Sequence, residues 1–134
     1  MVVIKAVIFD FFGVLEQEWL PNGQLLDFIK TELKPKYKIA IISNALGDYA
    51  YEILSLQQIE LFDEIVLSHR AGVAKPHPDI YEMALSALKV KPEEAVFVDD
   101  QSSFCQAASN LGMKTILYKN FPQMKTELEK LLAN

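Results

Sequence analysis

Cysteine is nearly absent: Cys105 is the single one among 134 residues. No internal disulfide can form, no zinc-type cysteine spacing exists, and a reducing cytoplasm is the expected setting. Histidine is scarce too. His69 and His77 lack the clustered partners that zinc requires. Glycine occurs five times, and its placement excludes two nucleotide-binding patterns. The first turn holds Gly13 but no G-x-G-x-x-G, and the phosphate loop G-x-x-x-x-G-K-[ST] is missing. No apolar run approaches the ~20 residues that span a bilayer. Basic charge is in deficit, with 13 Lys and Arg against 18 Asp and Glu and a net charge of −5. No basic stripe offers nucleic acid a surface. The opening stretch Met1 to Asp10 has neither a basic leader nor a small-residue cleavage site, so it reads as a strand rather than a secretion signal.

What is present is core material. Hydrophobic residues make up 51% of the chain and charged ones 23%, which excludes a disordered or low-complexity polymer. The length favours one domain over residues 1–134, large enough to bury a core without staples.

Apolar runs alternate with helical patterns. Val2 to Phe9 is β-branched and nearly continuous, as in a strand covered on both faces. Leu25, Leu26, Ile29 and Leu33 recur at helical spacing over 22–33, after the start signal Pro21-Asn22. Further strands are predicted at 38–42, 64–68, 95–98 and 115–118. Helices are predicted at 48–56, 78–88 and 104–111, and the apolar repeat Met124, Leu128, Leu131 marks a last amphipathic segment. This alternation predicts a three-layer α/β/α, Rossmann-like fold with a parallel sheet of about five strands. Only the stretch from Phe11 to Gly23 is a long connection.

Ligands of such sheets bind beyond the carboxyl ends of the strands, near the point where strand order reverses. The first strand runs out at Asp10, the second at Ser43-Asn44, the fourth at Asp99-Asp100, and the loop after the third carries Lys75-Pro76. Singly, each has an ordinary explanation: a turn-forming Asp, a helix-capping Ser-Asn, a solvated Lys. Adjacent carboxylates are sharper, because they repel unless a cation or solvent relieves them. Together the set offers oxygens for a hard cation, donors for an anion and a nucleophile.

These stretches resemble the four motifs of the haloacid dehalogenase-like hydrolases. Phe9-Asp10-Phe11-Phe12-Gly13-Val14-Leu15 is similar to the first, Ile42-Ser43-Asn44 to the second, and Gly72 to Tyr81, with Lys75-Pro76-His77-Pro78, to the third. Val96-Phe97-Val98-Asp99-Asp100, followed by Ala107-Ala108 and Leu111-Gly112-Met113, is similar to the fourth. The order is the family's, and the third and fourth motifs are the specific ones, resembling its phosphatase-like branch. The resemblance implies a Mg²⁺-dependent phosphohydrolase in which Asp10 is the nucleophile and forms an aspartyl-phosphate. It implies a metal held by Asp10, the backbone carbonyl of Phe12, Asp100 and Asp99, the last directly or through water. Ser43, the backbone N–H of Asn44 and Lys75 would grip the phosphoryl group, with Lys75 also balancing the charge of Asp10, and Gly13 would allow the sharp turn below it.

Two departures are visible. The family's phosphatases usually carry a second Asp two positions after the nucleophile, which protonates the leaving oxygen; here that position is Phe12. Slow turnover and a preference for good leaving groups are expected, because general acid–base help is typically worth 10²–10⁴-fold. Glu16, Glu18 and Asp48 are the nearby acids, each with a plain reading as a solvated surface charge. The second departure is size. Only residues 15–37 separate the first and second motifs, so the helical cap of the branch is expected to be absent. An open site suits a large phosphorylated substrate, a macromolecule included, or a second copy of the chain docking as a lid, with no membrane or nucleic-acid partner. Phe12 and Trp19 are expected at an apolar rim, with Phe11 and Leu20 packed in the core.

A degenerate member that binds phosphate, metal or a partner without useful turnover is the alternative. A 2-haloacid dehalogenase, which attacks carbon and needs no metal, fits the acid pair poorly. A receiver-like signalling domain is disfavoured, because its acid pair comes early in the chain. Smaller features have structural readings: His77 starting a helix, Phe104 and Cys105 packing, and Tyr49, Tyr51, Ile53 and Leu54 packing a helix.

Overall fold

The computed structural model describes residues 2–133; Met1 and Asn134, the ends of the single domain expected above, lie outside the described residues. Five parallel strands form the sheet: β1 (Ala6–Phe9), β4 (Lys38–Ser43), β5 (Glu64–Leu67), β6 (Ala95–Asp99) and β7 (Lys114–Leu117). Their order is β5-β4-β1-β6-β7. The chain thus builds outward from β1 on one side, then crosses back to build on the other. The reversal falls at β1, where Rossmann-like sheets hold their ligands.

Register decides which residues meet at the carboxyl edge. Phe9 pairs with Ile41 on one side and with Val98 on the other. Asp10 and Asp99 therefore step off neighbouring strands at the same level, and the Asp10 N–H donates to the Val98 carbonyl at 2.8 Å.

Alternate residues of each strand feed opposite cores, as the pleat requires. Val7, Phe9, Ile39, Ile41, Val96 and Val98 face α1 (Gly23–Phe28), its continuation over Ile29–Leu33, and α7 (Phe121–Leu132). Ala6, Ile8, Ala40, Ile42 and Phe97 face α5 (Pro78–Leu88) and α6 (Ser102–Asn110). Both sheet faces are covered, which is why the strands read as unbroken apolar runs. Asn22 caps α1 by accepting from the Leu25 N–H, and its own amide donates to the Val14 carbonyl and the Tyr118 hydroxyl. The sequence pattern shows one helix over 22–33. In the structure its second half is widened to a π-helix, which ends with the Lys34 N–H donating to the Ile29 carbonyl at 2.8 Å.

The first strand is shorter than its apolar run. Val2 and Val3 are half exposed, because both neighbours join β1 only at Ala6, which pairs with Lys38 and Ala95. The helix expected over 48–56 is split into α2 (Tyr49–Ile53) and α3 (Leu56–Ile59), the latter opened by a capping box of Ser55 and Gln58. A short α4 (Ser68–Ala71) follows β5 and closes at Gly72.

The long connection after β1 is a single turn followed by a hairpin. The Phe11 carbonyl accepts from the N–H groups of Leu15 and Glu16, and β2 (Glu16–Gln17) pairs with β3 (Leu20–Pro21). With α1 and its continuation, this fills the chain between β1 and β4, where a helical cap would have to be inserted. Phe11 is buried, as expected. Leu20 is 66% exposed, against the expectation that it packs in the core, because a two-residue strand pointing off the sheet has no layer above it.

Candidate active site

Lys75 is the centre of the carboxyl edge. Its ammonium donates to Asp10 Oδ1 at 2.7 Å, to Asp99 Oδ2 at 2.8 Å and to the Ile42 carbonyl at 3.0 Å. All three of its protons are thereby used. The Lys75 side chain is fully buried, and the rings of Phe104 and Phe97 lie 5.1 and 5.5 Å from the nitrogen. A surface lysine has none of these features, so the ordinary reading of Lys75 as a solvated loop residue is excluded.

The loop is built to deliver that side chain. Gly72, at φ +77°, ends α4 in the left-handed conformation that favours glycine. The Asn44 side chain then grips Lys75 from both sides: its Nδ2 donates to the Lys75 carbonyl and its Oδ1 accepts the Lys75 N–H, each at 2.9 Å. His77 caps α5, its Nδ1 accepting the Asp79 N–H at 3.1 Å, with Pro78 in the first turn. His69 instead meets Asp48 at 2.8 Å.

Three carboxylates gather around the lysine. Ligand oxygens of Asp10, Asp99 and Asp100 lie within 4.8 Å of one another. Asp99 is fully buried, and its second oxygen accepts the Gln101 N–H at 3.0 Å. Burial pushes the Asp10 carboxyl up to about 7, the charges of Asp99 and Asp100 acting in the same direction and the Lys75 ammonium against it. Burial and the charge of Asp99 likewise raise Asp100. With all three acids ionised, one ammonium leaves an excess of two negative charges; a divalent cation would balance it and favour the ionised forms.

Two observations fit the site to a cation and an anion. Gly13 sits at φ +83°, and a Cβ there would collide with the Asp100 carboxylate, its Cγ being 3.1 Å away. The absent side chain is the space in which that carboxylate rests. Ser43 Oγ is buried without a hydrogen-bond partner among the described residues. An unpaired buried hydroxyl at a strand end is uncommon, since native structures leave few such atoms unpaired.

Residues 23–118 match the family model of the haloacid dehalogenase-like hydrolases. This chain belongs to that family. The chain is 39% identical over 98 residues to a glyceraldehyde 3-phosphate phosphatase of Pyrococcus furiosus, which covers 72% of this chain and 41% of that enzyme. The chain thus spans about two fifths of the length of that curated relative. An uncharacterised protein from Corynebacterium glutamicum superposes with a TM-score of 0.85 at 24% identity, covering 97% of this chain and 96% of that one. A haloacid dehalogenase family enzyme from Bacteroides thetaiotaomicron, in complex with magnesium and inorganic phosphate, gives 0.71 at 19% identity, over 87% and 94% of the two chains. These two likenesses concern the fold.

Within this member of the haloacid dehalogenase-like hydrolases, position 12 carries a ring. Phe12 packs edge-on against Phe11, Trp19 and Tyr49, with centroids 5.0, 6.1 and 6.0 Å away. Two of the three nearby acids are engaged elsewhere. Glu16 is buried, and its two oxygens accept the N–H groups of Gly13 and Trp19. Asp48 is bound by Arg70 and His69, and the Arg70 hydrogen bonds hold its carboxyl below the usual range. Glu18 is exposed at the hairpin tip.

Sequence reasoning missed two parts of this region. The Ile42 carbonyl is a third partner of Lys75 that no side-chain pattern announces. Tyr49 reads as helix packing, yet its ring faces Phe12 and Trp19. Its place at the first turn after the β4 loop, beside the crevice, was the signal available. Cys105 is buried as expected, and its thiol is pushed up to about 11 by burial and the charge of Asp99.

Proposed function

We propose that the protein is a Mg²⁺-dependent phosphohydrolase acting on phosphate monoesters through Asp10. The observation that carries this reading is the buried Lys75 ammonium set between Asp10 and Asp99, beside the orphaned hydroxyl of Ser43. Relatedness to phosphatases and the excess negative charge of the three acids support it.

In the proposed reaction, a carboxylate oxygen of Asp10 attacks phosphorus. The new Asp10 O–P bond forms as the P–O bond to the leaving group breaks, and the leaving oxygen takes its proton from solvent. Lys75 balances negative charge on Asp10 and the transferring group, while Ser43 and the backbone N–H of Asn44 donate to phosphoryl oxygens. Water then attacks phosphorus, the Asp10 O–P bond breaks, and inorganic phosphate leaves with Asp10 restored. Asp10, Asp100, the Phe12 carbonyl and Asp99 would hold Mg²⁺; with Lys75 already bound to it, Asp99 acts mainly to anchor the amine. Bound there, the cation offsets the repulsion between carboxylate and phosphate. Phe12 offers no proton, so esters with acidic leaving groups react fastest. A phosphorylated small molecule is the substrate class nearest to the phosphatase relative, and the uncovered mouth also admits a larger one.

The test is a panel of phosphoesters assayed with and without Mg²⁺, with Asp10→Asn as the control. Hydrolysis that needs Mg²⁺ and vanishes in Asp10→Asn is expected. A folded, Mg²⁺-loaded protein that turns over nothing in the panel would leave only the non-catalytic binding alternative.

A further inference from the structure

The rings beside the carboxylates form a surface that the reaction itself does not need. A groove of about 410 Å³ runs from Phe12 and Asn44 past Leu46, Tyr49 and Ala74. It adjoins the acid cluster at both near ends: Phe12 is two residues from Asp10, and Asn44 holds the Lys75 backbone.

Two of the three polar side chains of its lining are already committed. The Asn44 amide is spent on Lys75, and Ser68 uses its Oγ to accept the Ala45 N–H at 2.8 Å and to donate to the Ala45 carbonyl at 3.1 Å; the third, Tyr49, carries a hydroxyl at the far end of its ring. What remains to meet a ligand is mostly ring edges and methyl groups, with the Tyr49 hydroxyl as the polar side-chain group left over. Leu46 is 95% exposed and Trp19 64%, and Trp19 stands edge-on to both Phe12 and Tyr49, at 6.1 and 5.8 Å.

Trp19 is held there against its backbone preference. It lies at φ +65° and its neighbour Glu18 at φ +53°, a left-handed region that bulky residues disfavour. The buried Glu16 carboxylate accepts the Trp19 N–H at 2.9 Å and keeps the turn closed. In-line displacement sends the leaving oxygen away from the attacking Asp10. A phosphate seated against Asp10, Ser43 and Lys75 therefore turns its ester group away from Asp10, and the subsite requires that this be the side on which Phe12 leads into the groove.

We propose that Phe12, Tyr49 and Leu46, with Trp19 backing the two rings, form a leaving-group subsite selective for phosphate monoesters of apolar, planar alcohols, that is, aryl phosphates. The subsite rests on the phosphohydrolase reading for its phosphate end. It is distinct from the electronic preference imposed by the missing acid, because it acts through binding. Sugars and polyols find few hydrogen-bonding groups in the groove, the Tyr49 hydroxyl chief among them, whereas an aromatic ring meets edge-to-face partners.

Non-hydrolysable ligands separate the two ideas. Benzylphosphonate and methylphosphonate are titrated calorimetrically into the full chain with Mg²⁺. Benzylphosphonate is expected to bind about tenfold more tightly, and this ratio to fall towards one in Tyr49→Ala and in Leu46→Ala. Leu46→Ala changes a side chain that supports no packing, so its result does not hinge on folding. Equal affinities in the wild type, or a ratio untouched by both substitutions, would overturn the subsite. Binding with the expected ratio but without turnover of any ester would remove the phosphohydrolase reading and leave the subsite standing. Binding of neither ligand would remove both. With turnover, an aryl phosphate and a fluoroalkyl phosphate of equally acidic leaving alcohols should differ in KM and not in kcat; a difference confined to kcat counts against the subsite.

Discussion

The Asp100 carboxylate rests against the bare Cα of Gly13, in space that a single methyl group would fill. The two residues come from different motifs 87 positions apart in the chain, and the contact exists because β1 and β6 are neighbours in the sheet. Gly13→Ala meets two obstacles, the collision and the positive φ, the latter costing roughly 1–2 kcal/mol for a residue with a Cβ. Asp100 must move. Calorimetric Mg²⁺ affinity should fall at least about tenfold, an amount equal to about 1.4 kcal/mol, while circular dichroism shows the fold retained. Unchanged affinity would mean that Asp100 does not hold the ion.

Phe12→Asp restores a proton donor at a position now filled by a ring. Turnover of a simple alkyl phosphate should rise by about 10²-fold or more, the usual worth of general acid–base help, and aryl esters should gain less. A rate assay with matched alkyl and aryl esters reads this directly. No gain for the alkyl ester would show that position 12 does not face the leaving oxygen.

Lys75→Met leaves two buried carboxylates facing each other without their cation. Breaking a buried ion pair from one side costs about 3–5 kcal/mol, and urea denaturation should show a loss of that order. Mg²⁺ should recover part of it, because a cation binding only the native state stabilises by mass action. A variant as stable as the wild type in the absence of metal would contradict the buried network.

Asp63 sets the acid sensitivity of the β4–β5 edge. Its carboxylate accepts the Ile39 N–H at 2.8 Å and pairs with Lys34 at 2.9 Å. Burial works to raise its pKa, but the Ile39 hydrogen bond and Lys34 outweigh it and hold the group below the usual range. A depressed folded pKa contributes stability that is present above the unfolded value and lost as pH falls through the folded one. Asp63→Asn should therefore lose stability at neutral pH and show a shallower further decline below about pH 4, near the unperturbed carboxylate value. Parallel pH–stability curves for the two proteins would refute this.

Much of the scaffold was legible from the order of residues. Strands at 38–43 and 95–99 are buried on both faces over nearly their whole length, and the edge strand at 64–67 over its second half, so each prints as a short apolar run. The helix over 78–88 is marked at both its start and its buried face. Asp10, Lys75, Asp99 and Asp100 could be named because strand ends are where Rossmann-like sheets gather chemistry. Elements governed by neighbours were harder. Val2 and Val3 look like strand but find no partner strand at their level. Leu20 looks like core but stands on a hairpin without a layer above it. Tyr49 looks like helix packing, and its ring turned to the groove because Phe12 and Trp19 were there to receive it.

Composition and pattern determined the layered sheet, the family of this chain and the residue types at its carboxyl edge, because burial on two faces and strand-end chemistry leave a local imprint. Tertiary structure alone decided that Lys75 spends all its protons on Asp10, Asp99 and Ile42, that Ser43 keeps a hydroxyl without a partner among the described residues, and that the rings of Phe12, Trp19 and Tyr49 pack edge-on against one another. Those facts depend on register and on contacts between segments distant in the chain, and side-chain partners at that range leave no periodic signal in sequence.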